Sequence, residues 1–483
     1  MVKHLLLRRY LPLAAILAAA LWRTAPALER DLWFDEALTL LNFAFLGSPG
    51  EIYRNYVIPN NQIVHTVLLH YWKDFTPGGL DFSLWLRLLP LATALATLAA
   101  FYCRFRVRMG RLVLLVVLAA WAVSPPFAIY GSALRGYMLS ALWITLAADA
   151  ALNYAGNGSK KWAAWFFVLS LLAIGTIPTN LVGLAGAVLY ALPLCGRDCC
   201  RNRRLYVLAA LPLAAFAVFY LPIFRPFLGV LRLGEGWSDG FAALKATYAA
   251  FAVGFAMLIL PVVLGANLLC FRPGYNWTFS ARAAILLLPI PVCLVLSIAP
   301  FPRTFFPLWP LWILLLAGAI RRLVAYQERC RKRWSGKTFL YALTGAVLVW
   351  GAVENGEAFK IAFSRRFGGA GGDDFFAPYY MRGDFRPREL FTQYRKLELP
   401  APPAVYLSFS SDPWSLMFQG QLAGLGGDIW RFDGPRGRVR ELPAQSLVIL
   451  NSADPVEPVE QRFNLKLRKC LELGRHSIYR TSL

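Results

Sequence analysis

Long apolar runs separated by short clusters of Lys and Arg dominate the first 353 residues. A bilayer core takes roughly 20 helical residues per crossing. The runs therefore predict about eleven membrane helices, at 11–22, 84–103, 112–129, 137–152, 162–177, 181–195, 205–224, 247–271, 283–301, 304–320 and 339–353. Two segments break that rhythm. Residues 28–83 form a connection long enough to carry function. Within it Ile63, Val64, Val67, Leu68 and Tyr71 recur at helical spacing, which predicts a helix lying along the outer membrane surface or packed on the bundle. The second segment is the tail, where Gly, Pro, Asp and Arg become frequent after Gly368. Its β-like runs at 404–409 and 446–450 flank a helical stretch at 414–423, enough for a small α/β domain. The expected architecture is an α-helical polytopic membrane domain over 1–353, with the long outer loop 28–83, followed by an extracytoplasmic α/β domain over 354–483.

Composition supports this reading and removes others. With 58% hydrophobic and 16% charged residues, the chain is too apolar for a soluble globular protein or a disordered one. The formal net charge of +23 would suit nucleic acid in a soluble chain. Here the cations sit in alternate connections: Lys3, Arg8 and Arg9; Arg104, Arg106, Arg108 and Arg111; Lys160 and Lys161; Arg197, Arg201, Arg203 and Arg204; Arg272 and Arg282; and a final cluster from Arg321 to Lys337. The positive-inside bias places these connections and the N-terminus in the cytoplasm, and the loop 28–83 and the tail outside. No nucleic-acid partner is expected. Reading residues 1–27 as a secretory signal ending at Ala25-Pro26-Ala27 would leave the remaining topology unchanged. Cys470 has no outward partner, so no structural disulfide is expected.

Candidate chemistry lies on the outward side. Trp33-Phe34-Asp35-Glu36-Ala37 puts a carboxylate pair just beyond the first span. Carboxylates partly desolvated at a membrane rim serve as bases or metal ligands, and equally they favour a first helical turn. Asn60-Asn61-Gln62 and His65 stand at the start of the expected surface helix, where an Asn can cap the helix or bind substrate. Arg135 and Tyr137, in Tyr130-Gly-Ser-Ala-Leu-Arg-Gly-Tyr137, and Arg303, in Phe301-Pro-Arg-Thr-Phe-Phe-Pro307, lie in outward turns that are otherwise poor in cations. An arginine there suits a phosphate or anionic head group, or snorkels to the interface.

Taken together, these motifs resemble the GT-C integral-membrane glycosyltransferases, nearest to their dolichyl-phosphate-mannose-like and aminoarabinose-transferase-like branches. The resemblance covers about residues 1–350. It implies transfer of a sugar from a polyprenyl-phosphate donor to a lipid, glycan or protein acceptor on the outer face of a bacterial inner membrane, with inversion at the anomeric carbon. Carried over by position, Asp35 is the general base and Glu36 orients it or binds metal. Arg135 and Arg303 neutralise the departing lipid phosphate, while Asn60, Asn61, His65 and Tyr137 bind substrate. Two positions depart from the pattern. Gln62 stands where many relatives have histidine, and Ala133 where many have an acid. The second leaves a divalent metal cofactor open, with Glu235 and Asp239 as acids that could replace the missing one.

Two other classes remain from the residues alone. A transporter places charges or breaks midway through its spans, whereas Arg87 and Asp149 lie toward span ends. An envelope-assembly scaffold would use the tail as its binding module.

Overall fold

A computed structural model of the chain describes residues 2–58, 61–195, 199–227, 282–296, 302–329, 338, 385–433 and 438–482. They fall into two compact units. One holds residues 2–28 and the helices from 47 through 329, and the other holds 29–46 together with the tail from 385 onward. The boundary expected at 353 gave the whole loop 28–83 to the membrane domain. Residues 29–46 belong instead to the unit that the tail builds.

The first unit is helical: α1 (Val2–Leu28), then, after α2 (Phe34–Thr39) of the other unit, α3 (Pro49–Asn55), α4 (Ile63–Trp72), α5 (Phe82–Met109), α6 (Arg111–Val123), α7 (Pro125–Ser132), α8 (Tyr137–Asn157), α9 (Lys160–Thr176), α10 (Asn180–Cys195) and α11 (Cys199–Tyr220). The helices Pro289–Leu296 and Trp309–Arg329 follow. Among the described residues five helices are long and apolar enough to cross a membrane, or six if one bent pair is a single span. The expected spans 247–271 and 339–353 lie outside the described residues.

That bent pair is the run expected as one span at 112–129. It breaks at Ser124 into α6 and α7, at an angle of 66°. Ser124 is extended before Pro125, with ψ 146°, as a residue preceding proline prefers. Pro125 and Pro126 open the new helix, whose first turn needs no N–H from them. The centre of the unit is α8, which packs against α5, α9 and α10. Its buried alanines, Ala141, Ala147, Ala148, Ala150, Ala151 and Ala155, let neighbouring helices approach closely. Gly186 of α10 does the same at one point, where a Cβ would lie 2.6 Å from Leu311. The charged residues in the spans serve as ties: Asp149 of α8 meets Arg108 of α5 at 3.1 Å, and buried Arg87 donates to the Ser132 carbonyl at 2.6 Å.

The second unit is an α/β sheet domain. Strands β1 (Val405–Leu407), β2 (Trp430–Phe432), β3 (Leu447–Asn451), β4 (Lys466–Leu473) and β5 (His476–Ser482) form one sheet in the order β2-β1-β3-β5-β4. Strands β2, β1 and β3 run parallel, and β5 is antiparallel to β3 and β4. The helices Pro387–Arg395 and Pro413–Leu422 cover one face, where Leu390, Phe391, Leu416 and Met417 meet Val405, Leu407, Leu447 and Ile449. The helix Glu457–Phe463 covers the other, with Val459 and Phe463 against Tyr406, Val448 and Leu450. Strands β1 and β3 and the helix Pro413–Leu422 fall on the runs expected from sequence. Strands β2, β4 and β5 were not anticipated: β2 has three residues, and the burial of β4 does not alternate cleanly along the strand.

Candidate functional site

Helix α4 buries a polar face beside its apolar stripe, with Ile63 of the stripe buried. The apolar stripe was the face expected to bury or to touch the membrane. In the folded chain Leu68 and Tyr71 on that stripe are exposed, while the face carrying Asn61, Gln62, His65, Thr66 and Leu69 is buried. A membrane protein can turn apolar side chains outward and hold polar ones inside, because its outer solvent is lipid.

Two contacts hold the buried polar face in place, and a third fixes Arg135. The Gln62 side-chain oxygen accepts the Gly136 N–H at 2.6 Å. Tyr220 at the end of α11 donates its hydroxyl to Asn61 Oδ1 at 2.8 Å. Arg135, 2% exposed, donates from Nη1 to the Tyr56 hydroxyl at 3.4 Å. Gly136 lets the turn approach α4: a Cβ there would lie 2.7 Å from Thr176 Cγ2 and 3.2 Å from His65 Cβ. Burial, and then the positive charge of Arg135, pushes the His65 imidazole down to about 3, so His65 is neutral at pH 7. Both of its ring nitrogens, together with Asn61 Nδ2, Gln62 Nε2 and Thr66 Oγ1, are buried with no hydrogen-bond partner among the described residues. A fixed cation beside several unclaimed donors suits an anion with several oxygens, such as a phosphate.

The turn before α8 is also tied to the later Pro-rich segment. Tyr130 and Tyr137 pack on each other with centroids 4.6 Å apart, and Phe306 lies 4.5 Å from Tyr130. Phe306 belongs to the 3₁₀ helix Pro302–Leu308. The backbone of Arg303 is in that helix, while its side chain lies outside the described residues, as do Asn60, Glu235 and Asp239 altogether. The structure thus brings together Asn61, His65, Arg135 and Tyr137, with Tyr137 joined to the segment that carries Arg303.

Asp35 and Glu36 belong to the other unit. Asp35 is half-buried at the second position of α2. Glu36 is 1% exposed, and its Oε2 accepts the Trp33 N–H at 3.1 Å. Such a reach back to the residue before the helix satisfies an N–H that the helix cannot. Among the described residues no three of His, Cys, Asp and Glu converge as metal ligands do.

By sequence Gln62 is a departure from the family pattern, and Tyr56, Gly136 and Tyr220 do not stand out as site residues. Tyr56 and Tyr220 meet their partners across 79 and 159 residues, with no local signal in either case. The small residue between Arg135 and Tyr137 was the one hint of the close approach at Gly136.

No family model matches the chain, and no curated protein matches it by sequence. Solved structures do. ArnT from Cupriavidus metallidurans in the apo state superposes with a TM-score of 0.58 at 16% identity, over 97% of each chain. The chain shares the fold of this ArnT. The same ArnT bound to undecaprenyl phosphate superposes at 0.56 and 15% identity, again over 97% of each chain. The oligosaccharyltransferase of Archaeoglobus fulgidus, in complex with Zn and sulfate, aligns at 0.45 and 10% identity over 84% of this chain and 61% of that one.

Proposed function

We propose that this chain is a membrane glycosyltransferase that moves a sugar from a polyprenyl-phosphate donor to a lipid, glycan or protein acceptor on the outer face of a bacterial cytoplasmic membrane. The observation that carries the proposal is the buried set at the start of α4: Arg135 beside neutral His65 and the unclaimed amide nitrogens of Asn61 and Gln62. A lipid phosphate supplies what that set lacks, and the ArnT structure with undecaprenyl phosphate shares the fold.

In this mechanism the half-buried Asp35 carboxylate takes the proton of the acceptor hydroxyl. The freed oxygen attacks the anomeric carbon of the sugar from the side opposite the phosphate. The bond from that carbon to the phosphate oxygen breaks, and polyprenyl phosphate leaves with the electron pair. Configuration inverts because a single displacement takes place. Arg135 and Arg303 stabilise the charge that grows on the leaving phosphate, where fixed cations in a dry site act most strongly. Asn60, Asn61, His65 and Tyr137 hold the donor. Glu36, spent on the Trp33 N–H, keeps the first turn of α2 formed and so orients Asp35.

A transfer assay on purified protein in nanodiscs, with a panel of radiolabelled polyprenyl-phosphate sugars, tests the proposal. Wild type consumes one donor, and Asp35→Asn loses roughly 10²–10⁴ in rate while remaining folded. Equal rates in the two proteins would remove Asp35 from the chemistry. Solute movement in sealed vesicles without any lipid-linked sugar would favour the transporter, and full tolerance of Asp35→Asn with no donor consumed would favour the scaffold.

A further inference from the structure

The side chain of Asp31 ties the segment carrying Asp35 to the tail. Its Oδ2 accepts the backbone N–H of Arg388 at 3.1 Å, and its Oδ1 accepts from Gln419 Nε2 at 3.2 Å and lies 3.5 Å from Arg388 Nε. Arg388 is the second residue of the helix Pro387–Arg395, whose N-cap residue, Arg386, makes no side-chain cap bond. The first N–H groups of a helix need an outside acceptor. Asp31 supplies one from a position 357 residues away in the chain. Gln419 belongs to a different helix, Pro413–Leu422, so one carboxylate ties two helices of the tail to the segment that precedes α2.

Between Asp31 and Asp35 the chain has little freedom. Leu32 is fully buried and Trp33 is 4% exposed. The Trp33 N–H is held by Glu36, and the Trp33 carbonyl accepts the Ala37 N–H at 2.9 Å. Beyond α2, Leu41 packs on the tail's core of Leu390, Phe391, Leu416 and Met417. Asp35 is therefore held on both sides by anchors to the tail.

We infer that Asp31, through Arg388 and Gln419, is a positioning residue for Asp35, and that the C-terminal domain is a working part of the catalytic apparatus that sets where the base stands. The inference rests on the reading of Asp35 as the general base. Reactions that depend on a placed base are sensitive to shifts on the order of 1 Å, which can cost about 10²-fold. A flexible loop would give the base no such placement; here two helices and a core contact impose it.

The test uses the full chain in nanodiscs and two measurements. Hydrogen exchange of the amides over 29–46 reads the anchor directly, without any activity. Steady-state transfer reads its consequence. Asp31→Ala and Gln419→Ala are expected to speed exchange over 29–46. Asp31→Ala is expected to lower kcat about 10- to 100-fold with the KM for the lipid-linked donor changed less than about threefold, since it removes placement and not binding. Asp31→Asn keeps one acceptor oxygen but sets an NH2 against the second donor, and is expected to recover only part of the loss. Unchanged exchange in Asp31→Ala overturns the inference, as does faster exchange with wild-type kcat. A loss confined to KM, with kcat intact, overturns it as well. If wild type transfers no sugar from any donor, the functional reading fails and the positioning role falls with it, while the exchange data still decide whether Asp31 is the anchor.

Discussion

Two polar clusters in this molecule contrast in how their hydrogen-bonding groups are used. In the tail, Asp433 accepts from Arg462 Nη1 at 2.5 Å and Nη2 at 2.9 Å, from the Val439 N–H at 2.8 Å and from the Tyr406 hydroxyl at 3.1 Å. Every one of those partners comes from the tail itself. At the start of α4 the pattern is reversed: Asn61 and Gln62 spend their oxygens on Tyr220 and Gly136, while their nitrogens, both nitrogens of His65 and the hydroxyl of Thr66 have no partner among the described residues. A buried donor left without an acceptor costs about 1–3 kcal/mol. The tail cluster does structural work. The α4 cluster carries a cost that a bound anion would remove, and such sites are where function is sought.

The largest test of that contrast is Arg135→Ala. Loss of a fixed donor from the place where charge develops should reduce kcat roughly 10²–10³-fold. Arg135→Lys should recover only part of this, because an ammonium lacks the planar fork of the guanidinium. Asp433→Asn, the matched change in the tail cluster, should leave the transfer rate within about twofold of wild type. Rates measured on the three variants at saturating donor decide it. A fall with Asp433→Asn as deep as that with Arg135→Ala would erase the distinction between the clusters.

The chain disclosed the two classes of residue unequally. Span-length apolar runs gave α5, α8, α10 and α11 near their limits, because hydropathy and alternating cations act locally. The break at Ser124 is legible in Pro125-Pro126, but the apolar run continues across it and reads as one span. The motifs Asp35-Glu36 and Arg135-Gly-Tyr137 were legible as exceptions, charges where topology disfavours them. Their surroundings were not. That α4 buries His65 and exposes Leu68 depends on which side lipid occupies, and a single stripe cannot tell core from membrane. That residues 29–46 belong with the tail depends on Asp31 meeting Arg388 and Gln419, contacts across more than 350 residues that no local pattern announces.

A second test exchanges polarity for bulk at the α4 cluster. His65→Leu removes two buried nitrogens that have no partner among the described residues. The free protein should be as stable as wild type or slightly more so, because an apolar replacement relieves an unmet desolvation cost. Affinity for polyprenyl phosphate should fall about tenfold, the size of one hydrogen bond of roughly 1.4 kcal/mol. Thermal unfolding in detergent and lipid-phosphate binding on the same preparation separate the two effects. Lower stability with unchanged binding would make His65 a structural residue like those around Asp433.

The smallest expected effect lies in the tail and depends on pH. The hydrogen bonds from Arg462, with help from the Val439 N–H and Tyr406, hold the Asp433 carboxyl down at about 2, against the partial opposition of burial. A carboxyl lowered in the folded state contributes stability that is present above its unfolded value of about 3.9 and is lost as pH falls toward 2. The pair is partly exposed, at 32% and 30% for its two side chains, so screening limits its worth to about 1 kcal/mol at neutral pH. Arg462→Ala should then lower the thermal midpoint of the tail by about 4–8 °C at pH 7, and the deficit should shrink between pH 4 and pH 2. His476 acts over a higher window. Burial, and then the charge of Arg475, pushes its imidazole down to about 4, so its contribution is complete above about 6.5 and fades between there and 4, in wild type and variant alike. Subtracting the two pH profiles cancels the histidine and leaves Asp433 alone. A deficit that stays constant down to pH 2 would show that Arg462 stabilises the tail through packing on Tyr406 and Phe463 instead of through its charge.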